Sequence, residues 1–249
     1  MFKKLATLLA GAALMLAATS AMATPLNPYL NRPTTVNVVN NGENSLQTEL
    51  NGIFGAGVVD ASADQLGVGM FKIATPGSNV IAPQFKFEWT GNSATQSAGI
   101  FGWNGTTAVE AVLFDGSAKA GYSTLVKWNT ADSGKITYFD QNGDFISQHD
   151  FDDISRDFFG VFFQASENSE FYYSVDSLNP QGEARVLGYE PTLSGAAFAY
   201  EDGTDFDYND AGFFVESIAP VPEPGTMVLL GAGMLGLAIF GKRRMNREA

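Results

Sequence analysis

The sequence contains no cysteine and a single histidine, His149. Without cysteine no disulfide can staple the fold and no thiolate can serve as nucleophile or zinc ligand. One imidazole argues against a Ser-His-Asp triad and against His-rich metal sites. Basic residues are scarce too, 14 against 27 acidic, for a formal charge of −13. Six of those 14 sit at the two ends of the chain. Residues 24–219 therefore hold 8 basic and 25 acidic side chains, a formal charge of −17. Such a surface repels nucleic acid and anionic lipid. It suits solubility outside the cell and, equally, the binding of divalent cations.

Sustained helical periodicity is also missing from the body. Short apolar runs rich in Phe and Gly alternate with turn residues. Candidate strands include Gln84–Trp89, Gly99–Trp103, Thr107–Phe114, Ser123–Trp128, Phe158–Gln164, Phe171–Val175, Ala184–Tyr189, Ala196–Tyr200 and Gly212–Ile218, and most of the twenty Phe lie in such runs. Val36–Val39, Ile53–Val59 and Leu66–Ile73 read as weaker strands. In Gln84–Trp89 the alternation puts Phe85, Phe87 and Trp89 on one face. Asn142-Gly143 supplies the positive φ of a type I′ turn, so Lys135–Asp140 should pair with Asp144–Gln148. The expected fold class is all-β, an antiparallel β-sandwich or jelly roll.

The ends carry addresses. Lys3 and Lys4, the apolar run Leu5–Ala18 and the small-x-small site Ala21-Met22-Ala23 form a signal peptide, 1–23, for signal peptidase. A proline-containing leader, 24–41, precedes the body, 42–219. The tail, 220–249, has three parts. Val221-Pro222-Glu223-Pro224-Gly225 stays extended because proline fits neither helix nor ladder. Thr226–Phe240 is apolar for 15 residues, about 22 Å as a helix against a bilayer core of roughly 30 Å. The basic tail, 242–247, holds Arg243 and Arg244 on the cytoplasmic side.

This tail resembles the PEP-CTERM sorting signal of Gram-negative envelope proteins. The resemblance implies processing by an exosortase at Val221, Pro222, Glu223 and Pro224, a transient stay in the inner membrane, and transfer to the cell surface or medium. It further implies an association with exopolysaccharide and biofilm.

Within the body, chemistry concentrates in Glu201–Asp210. Calcium takes six to eight oxygen ligands at about 2.3–2.6 Å. Asp202, Asp205, Asp207, Asn209 and Asp210 supply oxygens at a spacing that a curled loop can converge on one ion. An exposed acidic turn accounts for the same residues without an ion. The stretch is not an EF-hand, since Asp210 stands where that loop requires Gly. The run Phe171–Ser217 resembles the extracellular domain-of-unknown-function family 4114, through Phe171-Tyr172-Tyr173-Ser174, Leu178-Asn179-Pro180-Gln181-Gly182, Val186 and Phe198–Asp210. That resemblance implies a β-rich extracellular domain with a metal site at the acidic block.

Three functions follow. The first is a non-enzymatic surface or matrix protein stabilised by Ca²⁺. The second is a carbohydrate-binding module for exopolysaccharide, with Trp89, Trp103, Trp128, Tyr122 and Tyr138 as stacking faces unless they are core. The third is a glycoside hydrolase or lyase, for which no carboxylate pair stands out. The expectation is the first, with no catalytic residue.

Overall fold

The computed structural model describes residues 32–36, 42–88, 94–167, 169–191, 195–203 and 205–221. The signal-peptide residues Ala21 and Ala23, most of the leader, Trp89, Pro222, Glu223, Pro224, the apolar run 226–240 and the basic tail lie outside the described residues.

A seven-stranded and a four-stranded antiparallel sheet face each other, with a two-stranded ribbon beside them. Strands are numbered along the chain: β1 Phe71–Ile73, β2 Val80–Glu88, β3 Ser97–Trp103, β4 Ala108–Asp115, β5 Ser123–Trp128, β6 Gly134–Phe139 and β7 Phe145–Phe151. They continue as β8 Gly160–Gln164, β9 Phe171–Tyr173, β10 Val186–Tyr189, β11 Gly195–Tyr200, β12 Ala211–Glu216 and β13 Ile218–Pro220. The large sheet runs β10-β11-β12-β2-β5-β6-β7, the small one β4-β3-β8-β9, and the ribbon pairs β1 with β13. This is an all-β antiparallel sandwich.

Its core follows from the pleat. Alternate residues of β2 and β5 turn inward, so Ile81, Phe85, Val126 and Trp128 bury against Ile100, Leu113, Val161 and Phe163 of the small sheet. Aromatic rings bridge the layers. Phe114 lies 5.3 Å from Phe85 and 5.6 Å from Phe213, and Phe163 stacks on Tyr200 at 4.9 Å. Each such ring contributes about 1.5–3 kcal/mol by leaving water.

Three sequence expectations need correction. The body does contain an α-helix, α1, Leu46–Phe54, where Ile53–Val59 reads as a strand. Ser45 caps it by accepting the Thr48 amide, and Leu46, Leu50, Ile53 and Phe54 recur at helical spacing. Nine residues are too few for that periodicity to stand out. The helix packs with Val59 and Ala61 on Leu187, Tyr189, Ala197 and Ala199. A second core thus covers the outer face of β10 and β11, and these strands are buried at every residue.

The hairpin between β6 and β7 forms, but its turn is not type I′. Gly143 has φ 83° while Asn142 is not among the positive-φ residues. Gly143 donates to the Asp140 carbonyl at 3.1 Å and the Asp140 amide to the Asp144 carbonyl at 3.0 Å. That is a type I turn closed by a glycine bulge. The Asp140 carboxylate selects it by accepting the amides of Asn142 and Asp144.

Phe85 and Phe87 do not share a face. Gly212 pairs with Phe87 and Phe213 with Phe85, so β2 carries an extra residue there. The bulge reverses the side chains that follow it. Phe85 enters the sandwich core and Phe87 the core beneath α1.

Candidate metal centre

β11 ends at Tyr200 and β12 begins at Ala211, and the acidic stretch is the loop joining these neighbours. The loop is curled, not extended. Phe206 and Tyr208 take left-handed backbone angles, φ 55° and 57°. For bulky residues this costs on the order of 1–3 kcal/mol each, so packing must hold them. The Phe206 ring lies 4.7 Å from the Arg185 guanidinium, and the Tyr208 hydroxyl donates to the Ala184 carbonyl at 2.8 Å.

The curl gathers Glu201, Asp205 and Asp207, whose ligand oxygens lie within 4.8 Å of one another. Glu201 and Asp207 are buried and Asp205 faces solvent. Glu201 accepts the Gly203 amide at 2.8 Å and the Tyr208 amide at 3.4 Å. Asp207 accepts the Asn209 amide through Oδ1, while its buried Oδ2 has no hydrogen-bond partner. The fully buried Asn209 likewise keeps an unpartnered Oδ1, and its amide group donates to the Asn44 carbonyl. Two buried acceptor oxygens without donors are costly in a dry loop. They are the chemistry of a cation site, because a metal ion satisfies acceptors that no protein donor reaches.

Electrostatics agree. Burial first, then repulsion from Asp205 and Asp207, pushes the Glu201 carboxyl up to about 7. Burial also raises Asp207, with Asp205 and Glu43 adding to the rise. Burial raises Asp210 well above the usual range, and the neighbouring carboxylates add to it. Arg185, the cation beside Glu201, is committed elsewhere. It bonds Glu183 and the Gly203 carbonyl, stacks between Tyr172 and Phe206, and stands 4.0 Å from Glu201.

Of the residues expected to bind metal, Asp205 and Asp207 converge, and Asn209 closes the loop beside them. Asp202 and Asp210 bond each other instead, the Asp202 amide donating to Asp210 Oδ2 at 2.6 Å. Glu201 is the converging carboxylate absent from the expected set. Its signal is a carboxylate directly following a strand buried at every position.

The candidate stacking rings separate. Trp128 is 1% exposed and donates to the Ile154 carbonyl, so it is core. Trp103 packs partly buried in a small cluster with Phe101 and Phe162. Tyr122 and Tyr138 line a cleft of about 490 Å³. A second group of acidic residues, Asp150, Asp152, Asp153 and Asp157, is exposed, with Asp150 paired to Lys135 at 2.5 Å.

Comparison with known proteins adds the tail. The PEP-CTERM protein-sorting motif matches residues 220–244. The motif supports an exported protein that an exosortase processes at the membrane. The match covers the tail and does not reach the body. Among solved structures the chain is similar to SCP-B, a member of the eqolisin family of peptidases in a complex with the tripeptide Ala-Ile-His. That likeness has 11% identity over 61% of this chain and 96% of that one, with a TM-score of 0.26. No curated protein matches the chain.

Proposed function

We propose that the chain is a non-enzymatic surface or matrix protein of a Gram-negative cell, released by exosortase at its tail. Its sandwich is locked by one Ca²⁺ ion held by Glu201, Asp205 and Asp207, with Asn209 Oδ1 alongside. One observation carries this reading: buried Asp207 Oδ2 and Asn209 Oδ1 lack donors beside three converging carboxylates. Oxygen-only ligands on a curled loop suit a hard cation, and calcium tolerates the irregular geometry better than magnesium. The resemblance of Phe171–Ser217 to family 4114 supports the same assignment. The association with exopolysaccharide that the tail's resemblance implies supports a role among matrix components.

Thermal unfolding of the full chain in detergent tests the ion. Calcium at a hundred times its Kd stabilises by about 2.7 kcal/mol, which chelator reverses. An unchanged Tm in calcium overturns the site. Mass spectrometry of the mature protein tests the release. A C-terminus near Glu223 and Pro224 supports it, and a mature envelope form still carrying Arg243 and Arg244 refutes it.

A further inference from the structure

The two sheets differ in width, and the large one overhangs the small one. Strand β4 is an edge of the small sheet. It lies opposite β6, since the Tyr138 hydroxyl donates to the Val112 carbonyl at 2.6 Å. Strand β7 is one place further out, at the edge of the large sheet. Among the described residues no strand lies opposite its inner face.

Register identifies the residues on that face. Ile136 and Phe151 are core, and cross-strand partners share a face. The inner residues are therefore Phe151, His149 and Ser147 on β7, Ile136 and Tyr138 on β6, and Val126 and Thr124 on β5. Toward the open end they change from apolar to polar. Thr124 is 2% exposed, and its Oγ1 has no hydrogen-bond partner. An ordinary sandwich interior would carry Val there.

Thr124, Ile136, Tyr138, Ser147 and His149 line the cleft of about 490 Å³, within the roughly 300–1,000 Å³ of small-molecule sites. Tyr138 and His149 meet edge to face at 5.4 Å, giving one rigid aromatic corner. Asp115 lines the far wall and is fixed by the amide and hydroxyl of Ser117. Burial and then the Asp115 charge push the Tyr138 phenol up to about 12, so phenol and carboxylate sense each other. No Lys or Arg lines the cleft.

We propose that this overhang is a binding site for an uncharged oligosaccharide. Sugar rings offer C–H faces to the Tyr138 and His149 corner, and hydroxyls that both donate and accept. Asp115 accepts from them, and Thr124 and Ser147 do both. Phosphates and uronates are repelled by the carboxylates of the wall, where Lys135 is already paired with Asp150. The site is separate from the acidic loop at 201–210, and neither needs the other.

Isothermal titration of the full chain in detergent, with calcium present, tests the site. The probes are the neutral hexaoses of cellulose, amylose, laminarin and mannan, with oligogalacturonate as the acidic comparison. The expected result is binding of at least one neutral hexaose and none of the uronate. His149→Ala removes an exposed ring, and Ser147→Trp fills the cleft. Each lowers neutral binding by about tenfold or more, the size of one lost ring contact. Circular dichroism establishes that each variant is folded, and His149→Ala alone decides the matter if Ser147→Trp is not. Absence of binding to every neutral hexaose, equal binding of the uronate, or undiminished binding in the folded variants overturns the proposal.

Discussion

The side-chain amide of Asn209 donates to the backbone carbonyl of Asn44 at 2.8 Å, across a separation of 165 residues. Asn44 immediately precedes the cap of α1, and its own amide group donates to Glu49 inside the helix. The acidic loop is thus tied to the layer that covers β10 and β11. Replacing Asn209 by Ala removes about 0.5–1.5 kcal/mol of hydrogen bonding and frees the helix from the loop. Hydrogen exchange reads this directly. Calcium should slow exchange of the amides of Leu46–Phe54 in the native chain and leave them unchanged in Asn209→Ala.

Asp207→Asn separates charge from geometry. Without calcium the substitution removes one of three mutually repelling carboxylates and keeps the side chain's shape. The variant should then melt at or above the native temperature. With calcium the order reverses, because the native chain gains stability and the variant does not. Paired melts in chelator and in calcium decide this, and a variant that still responds fully to calcium excludes Asp207 as a ligand.

Much of this arrangement was readable before folding, and the unreadable parts share a cause. Strands such as Ser123–Trp128 and Ala196–Tyr200 declare themselves by β-branched and aromatic content. The convergence of Asp205 and Asp207 follows from their alternation once the loop curls. The role of Glu201 does not, because its burial depends on α1 and β10 covering β11, a long-range event. The bulge opposite Gly212 is equally silent, since Gln84–Glu88 alternates regularly on its own. The hairpin turn departs from type I′ because the Asp140 carboxylate accepts the Asn142 and Asp144 amides, which Asn142-Gly143 alone does not announce.

Stability should fall as pH rises. Burial raises the carboxyls of Glu190 and Glu201 from 4.5 to about 7 in the folded protein. Between those values the folded state holds more protons than the unfolded chain, so ionisation costs stability as pH climbs from about 4.5 through 7. Calcium should cancel the share due to Glu201, which the ion neutralises, and leave that of Glu190. Melting curves from pH 5 to 8, with and without calcium, check this. A calcium-free Tm that rises across the window contradicts both assignments.

Gly212 is required by the bulge. A Cβ there would lie 2.4 Å from the Phe87 ring and 2.9 Å from the Phe198 carbonyl oxygen. The carbonyl cannot retreat, because β11 is paired along its length with β12. Gly212→Ala should cost about 1–3 kcal/mol by overpacking. Gly143→Ala is strained by its φ of 83° but meets open space. It should cost less and leave the core intact, so denaturant titration of the two variants distinguishes steric from conformational cost.

The last strand sets how close the sorting motif comes to the folded body. Ser217 turns the chain with φ 63°, and its carbonyl accepts the Ala74 amide at 2.7 Å. Ile218 is then fully buried, and the Val221 amide donates to the Met70 carbonyl at 2.9 Å. Val221 is therefore both an anchored residue of the sandwich, the last one described, and the first residue of the sorting pentapeptide. Processing at Glu223 and Pro224 leaves every one of these bonds in place, and a chain ended after Val221 should melt like the full protein. Ending it after Ser217 removes Ile218 from the core, at about 2–5 kcal/mol for the buried side chain alone, and strips β1 of its partner. A melt that does not distinguish the two truncations would show that β13 contributes nothing to the sandwich.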